Sequence, residues 1–292
     1  MIPIFIVHKG NQKYLEYSLR SCEQYHDVHL LGDSSNKNLT DNWCNIEEIE
    51  SEFILEFDKV YKHMSTNYEW FEKICFYRYI YMYEYAKSNK IDSFFHCDSD
   101  LILLHSLNNI KLYLDKYSVA LMRPQRQDNF RYTASPHISY WTLDGLKEFI
   151  EFFLFTYKNN IGVLQEKYQY HKSNNLPGGI CDMTLLYLYS EYSPKVFNLF
   201  DLKDISLDYN VSSVENYGDC RHKLIFGVKK IKVIKNKLYF VYNDSTKIVL
   251  CLHMQGRAKL FMQDAYNKKY HYMMSKVILL NLVRKIRNLM FF

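Results

Sequence analysis

Two carboxylates one residue apart, Asp98 and Asp100, stand in the stretch SFFHCDSDLILLH, between an apolar run ending in Phe94-Phe95 and another beginning at Leu101. A strand buried on both faces cannot keep an ionised carboxylate inside, because desolvation costs roughly several kcal/mol unless the charge is paired or bound to metal. Both aspartates are therefore expected just beyond the strand, facing a ligand crevice. Hard oxygen ligands at this spacing suit Mg²⁺ or Mn²⁺, which favour one or two carboxylates together with the oxygens of a substrate diphosphate. Asp-Ser-Asp is also a ready turn former, so the motif gains its meaning from its place after an apolar strand.

The elements that must hold these carboxylates begin at the N-terminus. Residues Ile2 to Val7 form a β-branched apolar run, NQKYLEYSLRSCEQY puts Tyr14, Leu15, Leu19 and Cys22 at helical spacing, and VHLLG reads as a second strand. Strand, helix, strand implies a parallel α/β sheet, whose ligands collect beyond the C-terminal strand ends, where His8, Lys9, Asp33 and Ser34 lie. An aromatic helix is predicted from about Trp70 to Ala86, leading through SNKID into the strand that carries FFHCDSD. YSVALMRP gives a further strand stopped by Pro124, and TLDGLKEFIEFFLFTY a helix opened by Thr142 and Asp144. NNLPGGICDMTLLYLYSEY reads as a loop with Pro177-Gly178-Gly179 and a helix from about Cys181. IKVIKNKLYFVYNDSTKIVLCLHMQG reads as three short strands with turns at KNK and NDST, ending at His253. Beyond Gln263, KVILLNLVRKIRNLMFF reads as a helix in which Val277, Leu280 and Val283 recur, with Lys276, Arg284, Lys285 and Arg287 around them.

A chain of 292 residues that is 48% hydrophobic and 24% charged can bury a sizeable core and belongs among globular proteins. The excess of 37 Lys+Arg over 32 Asp+Glu, a net +5, falls short of a nucleic-acid-binding composition and is compatible with an anionic ligand or anionic lipid. Seven cysteines, an odd number without a CxxC pair, suggest neither a disulfide framework nor a zinc cluster and fit a reducing cytoplasm. The start MIPIFIVHKGNQ does not read as a signal peptide, and no segment reaches the roughly 18 apolar residues a spanning helix needs.

With these elements in this order, the chain resembles the nucleotide-sugar glycosyltransferases of the GT-A fold, whose DxD motif binds the metal and the nucleotide diphosphate. It is most like the retaining family that includes glycogenin and bacterial lipopolysaccharide galactosyltransferases, in which an arginine lies in a helix upstream of DxD and an HxxGxxK motif downstream. Here these look like Arg78 in CFYRYIYMY and His253, Gly256 and Lys259 in LHMQGRAK. The resemblance covers most of the chain. It implies an α/β fold of GT-A type, a Rossmann-like, mostly parallel sheet flanked by helices, over residues 1–263, followed by a basic amphipathic helical tail over 264–292. It further implies Asp98, Asp100 and His253 as ligands of Mn²⁺ or Mg²⁺, and His8, Asp33, Arg78, Asp98, Gly256 and Lys259 as contacts of a nucleotide diphosphate sugar. Asp182, in PGGICDMTLL, is implied as the catalytic residue, placed for a donor-sugar hydroxyl or for acid/base work. Plainer roles stay open for Arg78 as a structurally paired arginine, Asp33 as a turn residue and Asp182 as a helix N-cap. Leu260-Phe261 stand where the family commonly has Pro-Trp, and DMTLL where DQxxxN is usual. Both retaining and inverting chemistry remain open, with retaining favoured.

The activity expected is transfer of a hexose from a nucleotide diphosphate sugar, first a UDP-sugar, to a glycan acceptor in bacterial surface polysaccharide or lipopolysaccharide synthesis. One alternative is a nucleotidyltransferase acting on sugar phosphates, for which VHKGNQK is poor in glycine. Another is a non-catalytic membrane-surface or glycan-binding module, for which a 17% aromatic content offers stacking surfaces. Lysines and arginines flanking an apolar stripe over 276–292 suggest a helix lying on an anionic membrane surface. Such a helix would bring a cytoplasmic enzyme, peripheral on the inner face of the membrane, to a lipid-linked glycan. Packing onto the core or a dimer partner is the other reading, against which the apolar end Phe291-Phe292 speaks.

Overall fold

The computed structural model describes residues 1–212 and 222–290. The N-terminal apolar run becomes β1 (Ile4–His8), followed by α1 (Lys13–Glu23) and β2 (Val28–Gly32). β1 starts at Ile4 because Pro3 has no N–H to give; its carbonyl alone joins the ladder, accepting from the Phe95 amide at 2.9 Å. β3 (Trp43–Asn45), α2 (Glu52–Val60) and α3 (Glu69–Ser88) come next, then β4 (Ser93–Cys97) and β5 (Leu101–Leu103) on either side of the Asp-Ser-Asp turn. β6 (Val119–Met122), β7 (Ser135–Thr142) and α4 (Leu143–Asn159) follow, and Thr142 caps α4 by accepting from the Gly145 amide. After α5 (Ile161–Ser173), α6 (Asp182–Tyr192), β8 (Val196–Asn198) and β9 (Ile205–Leu207), two hairpins form. These are β10 (Leu224–Ile225) with β11 (Val228–Lys229), and β12 (Ile231–Ile234) with β13 (Lys237–Val241). β14 (Thr246–His253), α7 (Met262–Tyr266) and α8 (Tyr270–Met290) complete the described chain.

The strands β3-β2-β1-β4-β7-β6-β8 form a seven-stranded sheet in which only β7 runs antiparallel to its neighbours. The fold class expected from the sequence therefore holds: mixed α/β, with a mostly parallel central sheet flanked by helices. Side chains alternate across β1, so Phe5 packs with Phe57, Phe76, Phe94 and Trp141 on one face while Ile4 and Ile6 pack with Leu15 and Leu19 on the other. Each such side chain, fully buried, contributes roughly 1.5–3 kcal/mol.

A second sheet was not legible in advance. β12, β13, β14 and β5 pair in that order, with β9 also alongside β14. β5 runs antiparallel to β14, with His253 opposite Leu101 and Leu252 opposite Ile102. The Asp-Ser-Asp turn is thus where the chain leaves one sheet for the other. β4 ends and β5 begins there, beside the C-terminal end of β14, so polar side chains from three strands can meet.

In α8, Tyr270, Met273, Met274 and Val277 are buried with Met254, Ala258 and Met262. Tyr272, Leu279, Val283 and Ile286 are exposed, and at about 100° per residue they fall on the opposite side of the helix. One apolar stripe of this helix thus packs on the core, and another looks outward. Phe291 and Phe292, and the side chains of Lys285 and Arg287, lie outside the described residues. The six described cysteines are all free, with Cys220 outside the described residues. Among the described residues no helix is long and apolar enough to cross a membrane.

Candidate active site

β4 delivers the carboxylates to the C-terminal edge of the sheet, and the backbone then fixes the turn. The Asp98 amide donates to the His137 carbonyl at 2.8 Å, the Leu101 amide to the Asp98 carbonyl at 3.1 Å, and the Met254 amide to the Asp100 carbonyl at 2.9 Å. α3 runs back along the sheet and brings Arg78 to the same edge. Its guanidinium bridges two carboxylates, giving Nη1 to Asp98 Oδ1 at 2.9 Å and Nη2 to Asp182 Oδ2 at 2.5 Å, while Nε donates to the Cys75 carbonyl. Tyr79 Oη donates to the same Asp182 oxygen at 2.8 Å. Asp182 is therefore not a helix cap; Cys181 holds that position, and the Asp182 carboxylate is committed to Arg78 and Tyr79.

Asp100 faces the other way. His253 Nε2 lies 3.3 Å from its Oδ1 and Lys259 Nζ 3.2 Å from its Oδ2. The Nδ1–H of His253 donates to the Tyr209 carbonyl at 2.6 Å, which aims Nε2 at the carboxylates. His137 stacks on the His253 ring, with centroids 4.2 Å apart and planes 5° from parallel. His137 is itself pinned, Nδ1 to Ser135 Oγ at 2.8 Å and Nε2 to the Asp208 carbonyl at 3.0 Å. The Asp208 carboxylate accepts from the His253 amide at 3.1 Å and is ion-paired with Lys229, both side chains almost wholly shielded from water.

The electrostatics follow from these contacts. Burial pushes the Asp98 carboxyl up, but the Arg78 guanidinium with the His96 and His253 rings outweighs it and holds Asp98 well below the usual carboxylate range. Burial also pushes Asp100 up, and His253 more than reverses this. Burial lowers His253, yet Asp100 beside it leaves the imidazolium above its ordinary value. With His253 neutral, as a metal ligand must be, the three carboxylates Asp98, Asp100 and Asp182 against the two fixed cations Arg78 and Lys259 leave a net negative charge of about one. A divalent cation would turn that surplus positive, which is the sign a diphosphate requires.

The donor set fits such an ion. One ligand atom from each of Asp98, Asp100 and His253 can be chosen so that all three lie within 4.8 Å of one another. Octahedral ligands at about 2.1 Å from an ion stand about 3 Å apart when adjacent and about 4.2 Å when opposite, so only a small contraction is needed. An imidazole that gives its second N–H to a backbone carbonyl has the orientation typical of a metal ligand.

His8, at the end of β1, packs edge-on to Tyr14 with centroids 5.8 Å apart, and Lys259 lies 4.9 Å over the same Tyr14 ring. Burial lowers the His8 imidazolium, with Lys259 adding to the effect. Gly256 has φ +63° and open space where a side chain would project, so the backbone there stays approachable. Asp33 is a turn residue in its contacts: it accepts from the Gly10 amide at 2.7 Å and the Ser35 amide at 3.0 Å. Gly179, at φ +146°, brings the Pro-Gly-Gly loop against Met64, whose carbonyl would sit 2.3 Å from any added Cβ. Sequence reasoning missed His96, His137, Asp208 and Lys229. A signal existed for Asp208, since DISLDYN repeats the pattern of a short apolar strand followed by an acid.

No protein-family model matches the chain, and no curated protein does. Among solved structures it is similar to mouse xyloside xylosyltransferase 1 in its apo form, with 11% identity and a TM-score of 0.46 over 70% of this chain and 87% of that one. It is similar to an active-site mutant of LgtC, with 12% identity and a TM-score of 0.41 over 75% of this chain and 81% of that one. It is also similar to a cytidylyltransferase from Leptospira borgpetersenii, with 13% identity and a TM-score of 0.34 over 57% of this chain and 72% of that one. At such values the functional reading rests on the chain's own residues.

Proposed function

We propose that this chain is a metal-dependent glycosyltransferase of GT-A type that moves a hexose from a nucleotide diphosphate sugar, a UDP-sugar first, onto a glycan acceptor of bacterial surface polysaccharide or lipopolysaccharide synthesis. The observation that carries this reading is the convergence of Asp98, Asp100 and His253, from distant parts of the chain, on a crevice beyond the parallel strands with cations on both flanks. Bound Mn²⁺ or Mg²⁺ would supply the positive charge that stabilises a leaving diphosphate. Lys259 adds a point charge beside Asp100, and Gly256 leaves its backbone open to the phosphates. His8 and the turn held by Asp33 border the place expected for the nucleoside. Asp182, with one oxygen held by both Arg78 and Tyr79, is suited to accept from a donor-sugar hydroxyl rather than to carry a proton. That favours the retaining course, in which the pocket stabilises an oxocarbenium-like transition state. The outward stripe of α8, with exposed Arg284, suits an anionic membrane on the cytoplasmic side, where lipid-linked acceptors lie.

Thermal stability of the purified protein with UDP, GDP or CMP, each with Mn²⁺ or with EDTA, tests the site. A ligand bound to the native state at a hundred times its Kd stabilises by about 2.7 kcal/mol, so a rise in Tm of several degrees is expected with one nucleotide and only with metal. No rise with any nucleotide would return Asp-Ser-Asp to a plain turn and leave the binding-module reading.

A further inference from the structure

We infer that the β10–β11 hairpin is a membrane-insertion tip, whose apolar end enters an anionic lipid surface while the lysines around it engage the headgroups. The hairpin pairs Ile225 with Val228, so its loop is only Phe226 and Gly227, at φ +51° and +81°. Two-residue turns with both central residues left-handed favour Asn or Asp followed by Gly. A phenylalanine there is costly, because its Cβ crowds the backbone in the left-handed region. Folding recovers little of that cost, since Phe226 is 67% exposed beside exposed Leu224 and Ile225. Nothing among the described residues accounts for the phenylalanine, and a partner would.

The surrounding charge says what that is. Between His222 and Asn243 the sequence has six lysines and no Asp or Glu. Lys229 is spent on Asp208, and Lys223, Lys230, Lys232, Lys235 and Lys237 are exposed, none of them in an ion pair among the described residues. Exposed Ile234 lies on the second hairpin of the same basic stretch. An apolar tip in a basic stretch whose exposed lysines make no ion pair among the described residues matches an anionic bilayer, which offers hydrocarbon below and phosphate above. A second copy of this chain is a poor occupant, because a two-fold interface would set the same cationic patch against itself. β11 packs against the inward face of α8, where Val228 shares a core cluster with Met273 and Val277, so the outward stripe of that helix would be a second, separate contact. This second contact rests on the reading of α8 given above, whereas the hairpin contact stands apart from it and from the metal site.

Co-sedimentation with vesicles of one part phosphatidylglycerol to two parts phosphatidylcholine, against pure phosphatidylcholine, measures the interaction. Wild-type protein is expected to bind the anionic vesicles and not the neutral ones. Phe226→Asn is expected to leave Tm unchanged or raised while weakening vesicle affinity about tenfold or more, two effects that a merely structural residue would not separate. The fluorescence of Phe226→Trp is expected to shift to the blue and to be quenched by lipids brominated on their acyl chains. Unaltered binding by Phe226→Asn, an unquenched Trp, or no binding by wild type would overturn the inference, as would a hairpin-dependent dimer in light scattering. Leu279→Ser/Val283→Ser separates the two contacts. If it alone abolishes binding, the hairpin inference falls and the α8 reading survives; if only the hairpin variant does, the reverse holds.

Discussion

At the Asp98–Asp100 turn every formal charge has a partner inside the protein, whereas on the two hairpins that precede β14 five lysines face solvent without a partner among the described residues. The first arrangement is closed. Arg78 spans two carboxylates, Asp208 and Lys229 neutralise each other in the interior, and what remains is a small negative surplus suited to one divalent ion. The second is open, with its charge unbalanced and its apolar side chains uncovered. On the readings proposed above, compensated charge would serve a small ligand whose position must be fixed, and charge left unpaired among the described residues would serve a large partner whose position need only be near.

The sharpest way to break this comparison is Asp100→Ala. Transfer activity should fall roughly a thousandfold or more, the share a metal centre commonly supplies, while the far-ultraviolet circular dichroism stays native. A variant with normal turnover would mean the closed region does no chemistry. A milder blow is His137→Leu, which removes the ring stacked on His253 without touching any expected ligand atom. Mn²⁺ affinity, measured by calorimetry, should drop about 10- to 100-fold, as is usual when the support of a ligand is lost. If stability fell but affinity did not, His137 would be packing alone.

The smallest effect concerns pH. Without metal, Asp100 raises the folded-state value of His253 above the ordinary histidine value of about 6.5, against the opposing effect of burial. The stability contributed by this pair is present below the ordinary histidine value for as long as Asp100 stays ionised, and is lost as pH rises through the raised His253 value. Metal needs the neutral ring, so it competes with the proton. Mn²⁺ affinity should therefore weaken by up to about tenfold for each pH unit below the raised value. Titrations at pH 6, 7 and 8 check this, and a flat profile would remove His253 from the ligand set.

Much of this architecture was legible in the sequence because it is written locally. The strand-helix-strand opening, the capped helix after Thr142 and the three C-terminal strands each show their period and turn residues within about a dozen positions. The carboxylates at the strand end were legible for the same reason, and Arg78, His253 and Lys259 through their motif spacing. The frame behind them was not. His137 reads as one more polar residue in an alternating strand, and nothing near it in sequence announces that it stacks on His253. Lys229 sits in a lysine-rich stretch where its neighbours are solvated, and only the tertiary fold singles it out to pair with Asp208. The division into two sheets was invisible too, because β5 is three residues long and its partner β14 is encoded far downstream.

That pairing has a consequence for how the protein comes into being. The Asp-Ser-Asp turn is made early in synthesis, but it gains its imidazole and its lysine only when residues 253 and 259 of a 292-residue chain have emerged and β14 has docked on β5. Closing so long a loop is among the slowest contacts a fold can make. A chain cut short before β14 is therefore expected to present the carboxylate pair without the imidazole and the lysine that face Asp100.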